Sequence, residues 1–525
     1  MRAGRSRASV GRFGASVRTR CRDYNTAMTY DVALEWLFSL QRFGMKLGLD
    51  NIRTLTGGLG RPQDRFASVL IAGTNGKGST AAILHQILLA AGVRSGLYTS
   101  PHLVRTEERI RIGSRDIECD ALASALTRVR TATDDLRAAG SLAAHPTFFE
   151  TITAAAFVAF ADAGVEVAVL EVGLGGRYDA TNVVSPVLSI ITNIDLDHQE
   201  QLGASLAAIA REKAGVLRPR VPTLVGEARE EPLGAIREEA TAIGARLIVA
   251  GSGAVPAISS VRSVATSPSS TASGISAAAS SPSFAAACAA TPTRLTLSFE
   301  TPVRRYARLS CPLPGAHQAA NVSIAVRAAE FLASLGWPTG EPAIVRGVAE
   351  VRWPGRLEWI AGRPSLLLDG AHNPAGVGAL AEYLDGLESP PVLLFGSMRD
   401  KDCRTMLAPL LPRVRAAVFT QPPMDRAAAA GDLILIARAL VGETGTGVDA
   451  AHSGHRKGAD SPATCTPSRS GALPLEAAPV VTTALTRARS LAGPDGIVLV
   501  AGSLFLVGAV KAILEGSTAR AGVAQ

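Results

Sequence analysis

The stretch VLIAGTNGKGST, residues 69–80, narrows the possible folds more than any other part of the chain. An apolar run enters a loop in which Gly73, Gly76 and Gly78 surround Lys77, and a helical pattern, AAILHQILLA, follows at once. Strand, glycine-rich turn and helix together present backbone N–H groups to an anion. The usual phosphate loop has four residues between its glycines and a hydroxyl directly after its lysine. Here only Thr74 and Asn75 separate Gly73 from Gly76, and Gly78 stands between Lys77 and Ser79. The loop is a tighter variant, and it needs a parallel sheet to hold it.

Other apolar runs supply that sheet. RSGLYTSPHL (94–103), VEVAVLEVGLGG (165–176) and PVLSIITNI (186–194) read as strands, with helical stretches at 31–49 and around Thr147–Phe160. Strands alternating with helices imply a mainly parallel sheet covered on both faces. A second α/β series begins near residue 356, with SLLLDG (365–370), PVLLFGS (391–397), AAVFT (416–420) and GIVLVAGS (496–503). The chain thus reads as a large P-loop-type ATP-binding α/β domain over 28–355, then a smaller Rossmann-like α/β domain over 356–525. Segments 251–292 and about 443–473 are low in complexity and carry no useful periodicity, so both read as solvated insertions.

The net charge of +8 raises the question of a nucleic-acid partner. Residues 1–22 hold seven arginines and no acid, which accounts for nearly all of it. The body is close to neutral, so a basic groove for nucleic acid is not expected. Residues 1–27 read as a disordered Arg-rich tail, with an organelle transit peptide or a start at Met28 as alternatives. No apolar run approaches the ~18 residues that cross a bilayer, so no membrane partner is expected. Six scattered cysteines without a C-x-x-C pair suit a reducing cytosol.

Candidate chemistry gathers around the loop and at strand ends. Gly76 and Gly78 permit close approach to phosphates, Lys77 suits their charge, and Asn75 suits the transferring phosphoryl group. Ser79 or Thr80 is placed to reach magnesium. Glu171 ends a strand, His198 follows another in NIDLDHQE, and Asp369 and His372 follow a third in LLLDGAHNP. Open α/β sheets bind ligands at such ends. Lys213, in IAREKAGVLRP, sits near a helix end, where a solvated lysine facing the terminal carbonyls is the plainer reading.

GTNGKGS, TSPHL, LEVGLGGRYDATN, DHQEQLG, REKAG, HQAAN, PGRLE and DGAHNP occur in this order. Together they make the chain resemble the folylpolyglutamate synthase and dihydrofolate synthase family of the Mur ligase superfamily, from about Tyr30 to VLVAGSLFLVG. Gly78 favours this folate branch, since cell-wall ligases usually have Thr there. The resemblance implies magnesium ligation by Ser79, Ser100, Glu171 and His198, and a lysine carbamylated by carbon dioxide at Lys213. It implies ATP contacts by Asn321, Arg356 and Asp369, with His372 beside them. It implies a pterin site shaped by Leu47, Gly48, Leu49, Thr147, Phe148, Phe149, Arg177, Asp179 and Ala180. The expected cofactors are ATP, Mg2+ and a monovalent cation. The expected reaction adds L-glutamate to dihydropteroate, to a reduced folate, or to both, through an acyl phosphate, in a cytoplasmic monomer. A cell-wall amino-acid ligase and a nucleotide-binding module without ligase activity are the competing readings.

Overall fold

The computed structural model describes residues 27–44, 48–250, 257–263, 293–445 and 472–516. Eight strands form the first sheet: β1 (Ala67–Ala72), β2 (Ser95–Tyr98), β3 (Ile110–Ile112), β4 (Arg115–Asp116), β5 (Val167–Glu171), β6 (Leu188–Ile191), β7 (Pro222–Val225) and β8 (Arg246–Val249). Their order is β4-β3-β2-β5-β1-β6-β7-β8, parallel except at the β4 and β3 edge. β1 is central and its apolar run is buried on both faces. Leu70 and Ala72 join the core made with Phe157 and Phe160, while Val69 and Ile71 join the core made with Ile83, Ile87, Val322 and Ala325. An unbroken apolar run, without period-two alternation, is what a doubly covered strand requires.

The helix Phe148–Asp162 starts with a reciprocal cap. Glu150 N–H donates to Thr147 Oγ1 at 3.2 Å, and Thr147 N–H donates to Glu150 Oε2 at 2.8 Å. Such a cap is worth about 1 kcal/mol and fixes where the chain turns.

A three-stranded antiparallel sheet, β9 (Ala257–Ser263), β10 (Thr293–Glu300) and β11 (Arg305–Cys311), packs beside the first. β9 corrects the sequence reading, because it lies inside the stretch 251–292 taken as an insertion without structure. A bulge explains the missed signal. Leu295 pairs with Val261 but Leu297 with Ile258, so the apolar residues of β9 lose their spacing of two. The rest of that stretch, most of 443–473 and nearly all of the tail lie outside the described residues.

The second sheet holds β12 (Glu358–Ile360), β13 (Ser365–Leu368), β14 (Val392–Phe395), β15 (Ala416–Phe419), β16 (Leu475–Ala477) and β17 (Ile497–Ala501). Its order is β12-β13-β17-β14-β15-β16, parallel except for β12. The expected boundary at 355/356 falls between the helix Glu341–Glu350 and β12. Among the described residues no helix is long and apolar enough to cross a membrane.

Candidate active site

Register places the loop. Ile71 of β1 pairs with Glu171 on one side and Ile190 on the other, so the ends of β5 and β6 flank Gly73–Ser79. Two loop positions require glycine. Gly73 has φ 144°, and a Cβ there would lie 1.9 Å from Thr192 Oγ1; Gly76 has φ 81°, and a Cβ would lie 2.3 Å from Asn321 Oδ1. The segment after β6 ties the loop down. Asn75 N–H donates to Asn193 Oδ1 at 2.8 Å, Thr192 Oγ1 to Asn75 O at 2.6 Å, and Thr74 Oγ1 to Asp195 O at 3.1 Å. The Lys77 ammonium donates to the carbonyls of Gly73 at 3.0 Å and Thr74 at 3.1 Å.

A cleft of about 270 Å³ opens above the loop and brings most of the expected residues together. Asn75, Gly76, Lys77, Gly78, Ser79, Ser100, Glu171, His198, Lys213, Asn321, Arg356, Asp369 and His372 all line it. Thr80 does not: it is fully buried behind the loop.

Buried charge dominates this cleft. Lys213 is buried and donates to Gly73 O at 2.9 Å. Burial first, then repulsion from Lys77, lowers its pKa to about 7. Burial pushes the Glu171 carboxyl up, with Lys77 and the Ser100 N–H at 3.3 Å pulling it back. His198 caps a short helix with φ 50°, a left-handed conformation that L side chains rarely adopt. Burial lowers its pKa to about 4 against the opposing pull of Asp197.

The second domain reaches across the cleft to one carboxylate. Asp197 Oδ1 accepts from Lys401 Nζ at 2.5 Å, and Oδ2 accepts from Asn373 Nδ2 at 3.1 Å, with His372 Nε2 at 3.7 Å. Burial opposes ionisation, but His372, His198 and Lys401 outweigh it and hold Asp197 well below the usual carboxylate range. Asn373 also donates to Asn75 Oδ1 at 3.0 Å while its own oxygen caps the helix Pro374–Leu384. Asp369 accepts the N–H groups of Leu357 and Ala371, both at 2.9 Å, so it shapes the loop that carries His372. His372 Nδ1–H donates to Gly370 O at 2.8 Å, so in the neutral ring, which burial favours, Nε2 is the acceptor.

A second pocket of about 320 Å³ adjoins the first. Of the residues expected to shape a pterin site, Gly48, Thr147, Phe148, Phe149, Asp179 and Ala180 line it. Both pockets share Gly173, Leu174, Gly175 and Leu202. Two expected residues are not brought there. Leu49 is buried in the core, and Arg177 turns to Glu239 at 2.9 Å, stitching the loop to neighbouring helices. Leu47 lies outside the described residues. Asp179 accepts four hydrogen bonds from Gly173, Leu174 and Thr181, so its visible work is to shape the shared wall.

Sequence reasoning passed over Asp195, Asp197, Gln318, Asn373 and Lys401. The first two sit beyond β6 and carry the strand-end signal that singled out His198; Lys401 carries none. Among the described residues no group of three or more His, Cys, Asp or Glu side chains is placed to hold a metal ion. The donor set of Glu171, His198 and the hydroxyls of Ser79 and Ser100 still fits magnesium, which keeps waters and takes phosphate oxygens.

The Mur ligase middle domain matches residues 71–329, and the Mur ligase glutamate ligase domain matches residues 355–504. A Bacillus subtilis dihydrofolate synthase/folylpolyglutamate synthase is 31% identical over 413 residues, covering 77% of this chain and 88% of that one. The chain belongs to the folylpolyglutamate synthase/dihydrofolate synthase family of Mur ligases. A probable bifunctional folylpolyglutamate synthase/dihydropteroate synthase from Haloferax volcanii is 34% identical over 481 residues, 91% of this chain and 50% of that protein. The chain spans about half the length of this relative and of its Halobacterium salinarum counterpart. Among solved structures, E. coli FolC in complex with DHPP and ADP superposes with TM-score 0.71 at 27% identity, over 92% of this chain and 98% of that one. The Yersinia pestis enzyme complexed with AMPPNP and a Mn ion gives 0.68 at 27%, over 93% and 98%. The mixed α/β fold is that of this family.

Proposed function

We propose that the protein is an ATP-dependent ligase that joins L-glutamate to dihydropteroate, to the γ-carboxylate of a reduced folate, or to both. The observation that carries this reading is the common wall Gly173–Gly175 between the two pockets. A flat ring held against Phe148 and Phe149 would direct its carboxylate over that wall toward the phosphate loop. The carboxylate attacks the γ-phosphorus, ADP leaves, and an acyl phosphate results. The glutamate amine then attacks the acyl carbon, loses a proton, and phosphate departs.

Each step uses residues of the cleft. Lys77 offsets charge on the transferring phosphoryl group, and the glycine loop fixes its position. Asn321 and Arg356 hold the nucleotide. His372, its Nδ1–H fixed on Gly370, offers Nε2 to the amine proton. Asp369 sets that loop. Ser79, Ser100, Glu171 and His198 would hold magnesium, which would supply charge neutralisation at the nucleotide phosphates. Lys213 has the environment for carbamylation: its neutral amine attacks carbon dioxide and releases one proton, which leaves a carboxylate. The protein acts on small molecules, as a cytoplasmic monomer.

The test is direct. Purified protein with ATP, glutamate and either pterin acid should yield a product heavier by one glutamyl residue, seen by mass. Phosphate release that ignores glutamate, with no such product, would favour the bare nucleotide-binding module.

A further inference from the structure

Gly78 has no conformational reason to be glycine. It is the second residue of the helix Lys77–Ala90 and its φ lies outside the left-handed region, yet glycine in a helix costs up to about 1 kcal/mol against alanine. A side chain from the end of the first domain supplies another reason. A Cβ on Gly78 would lie 2.9 Å from Trp353 Cζ2 and 3.2 Å from its Cε2 and Nε1, so the indole edge fills the space a methyl would need. The helix Glu341–Glu350 brings Trp353 there by running antiparallel along Lys77–Ala90. Gly347 lets the two helices close in, since a Cβ on it would lie 2.5 Å from Ile87 Cα. Gln86 Nε2 donates to Glu350 Oε2 at 3.4 Å along the same contact.

The linker that follows is pinned to both domains. Trp353 packs against the core of the first domain, beside Val351 and Val348. Gly355 is bonded into the second: its N–H donates to Glu358 Oε2 at 2.8 Å, and its carbonyl accepts from Gly370 N–H at 2.9 Å. Arg356 comes next and lines the cleft that the Gly78 backbone also lines. Resting on the ligase reading above, we propose that Trp353 is a positioning residue: seated on Gly78, it sets the linker that presents Arg356 to the nucleotide. Gly78 is bare for the ring, and not for a phosphate. A side chain at position 78 lifts the indole, and Arg356 moves with it.

The experiment titrates ADP by calorimetry into wild type, Gly78→Ala, Trp353→Leu and the double variant, with thermal melting as the check on folding. Gly78→Ala should weaken ADP about 10-fold while Trp353 is present, and less than about 2-fold in the Trp353→Leu background. Trp353→Phe, which keeps a flat ring, should hold ADP more tightly than Trp353→Leu. Arg356→Met should cost about 10-fold in wild type and much less in Trp353→Leu, where the arginine is already displaced. Where Gly78→Ala melts too low to titrate, recovery of its melting temperature by Trp353→Leu supports the seat, and no recovery overturns it. Equal losses from Gly78→Ala in both backgrounds would give the glycine to the phosphates and overturn the seat. Additive losses from Arg356→Met and Trp353→Leu would overturn the positioning role. Wild type that binds ADP yet makes no glutamyl product would overturn the ligase reading, and with it any role for Trp353 in ligation; the ADP titrations tell that failure apart from a failure of the seat.

Discussion

Enclosing a lysine beside a second lysine removes most of its reason to stay protonated, and Lys213 shows the consequence with a pKa near 7. If the useful form is a carbamate, its working charge is negative. Lys213→Ala should then lower turnover at least about 100-fold, and Lys213→Arg should fail to restore it. Acetate or formate added to Lys213→Ala should recover part of the rate. Near-normal turnover by folded Lys213→Arg would sink the carbamate. Lys77→Ala should lower ligation about 1000-fold with an unchanged melting temperature, since Lys77 contacts two loop carbonyls and no core side chain. A folded variant that still turns over normally would mean the phosphate loop is misassigned. These two lysines had different visibility in the sequence. Lys77 sits in a local motif, whereas Lys213 looks like any lysine near a helix end until Gly73, 140 residues away, is seen to accept its hydrogen bond.

The helix Lys77–Ala90 that begins at the loop is also anchored past its middle, at His85. His85 Nε2–H donates to Gly113 O at 2.9 Å, and Nδ1 accepts from Ser95 Oγ at 2.8 Å. Burial lowers its pKa from 6.5 to about 4. The fold therefore favours the neutral ring. Its contribution is complete above pH 6.5 and is lost as pH falls toward 4, on the order of 3 kcal/mol by linkage. His85→Gln should flatten the acid side of the stability curve by up to one proton, about 1.4 kcal/mol per pH unit, between pH 6.5 and 4. Denaturant melts at a series of pH values would show it; an unaltered slope would refute the neutral-histidine account. Long apolar strands such as β1 and β5 were legible because burial on both faces leaves an unbroken run. β3, β4, β12 and β16 were not, being two or three residues long and at or next to sheet edges.

The two domains meet through Asp197, whose partner Lys401 is 204 residues away. No local pattern could announce such a pair. Removing one partner of a buried ion pair costs about 3–5 kcal/mol. Lys401→Met should therefore open the cleft and let water reach the acyl phosphate. We expect a larger radius of gyration by small-angle scattering with ADP bound, and several-fold more phosphate released per amide formed. Equal scattering and equal coupling would show that the pair does not hold the domains together. A different consequence follows from the wall that Gly173–Gly175 share between the two pockets. It fixes the distance from ring to phosphate like a ruler, yet each added glutamate lengthens the molecule being measured. If folates are extended here, the ring cannot keep its seat while a longer tail presents its new end to the same phosphate. Elongation would then proceed by release and rebinding, with each intermediate length pooling in solution before the next forms. A pulse of labelled folate chased with unlabelled folate would reveal that by diluting the longer products; label that passed straight into long chains would mean the ring had moved aside while still bound.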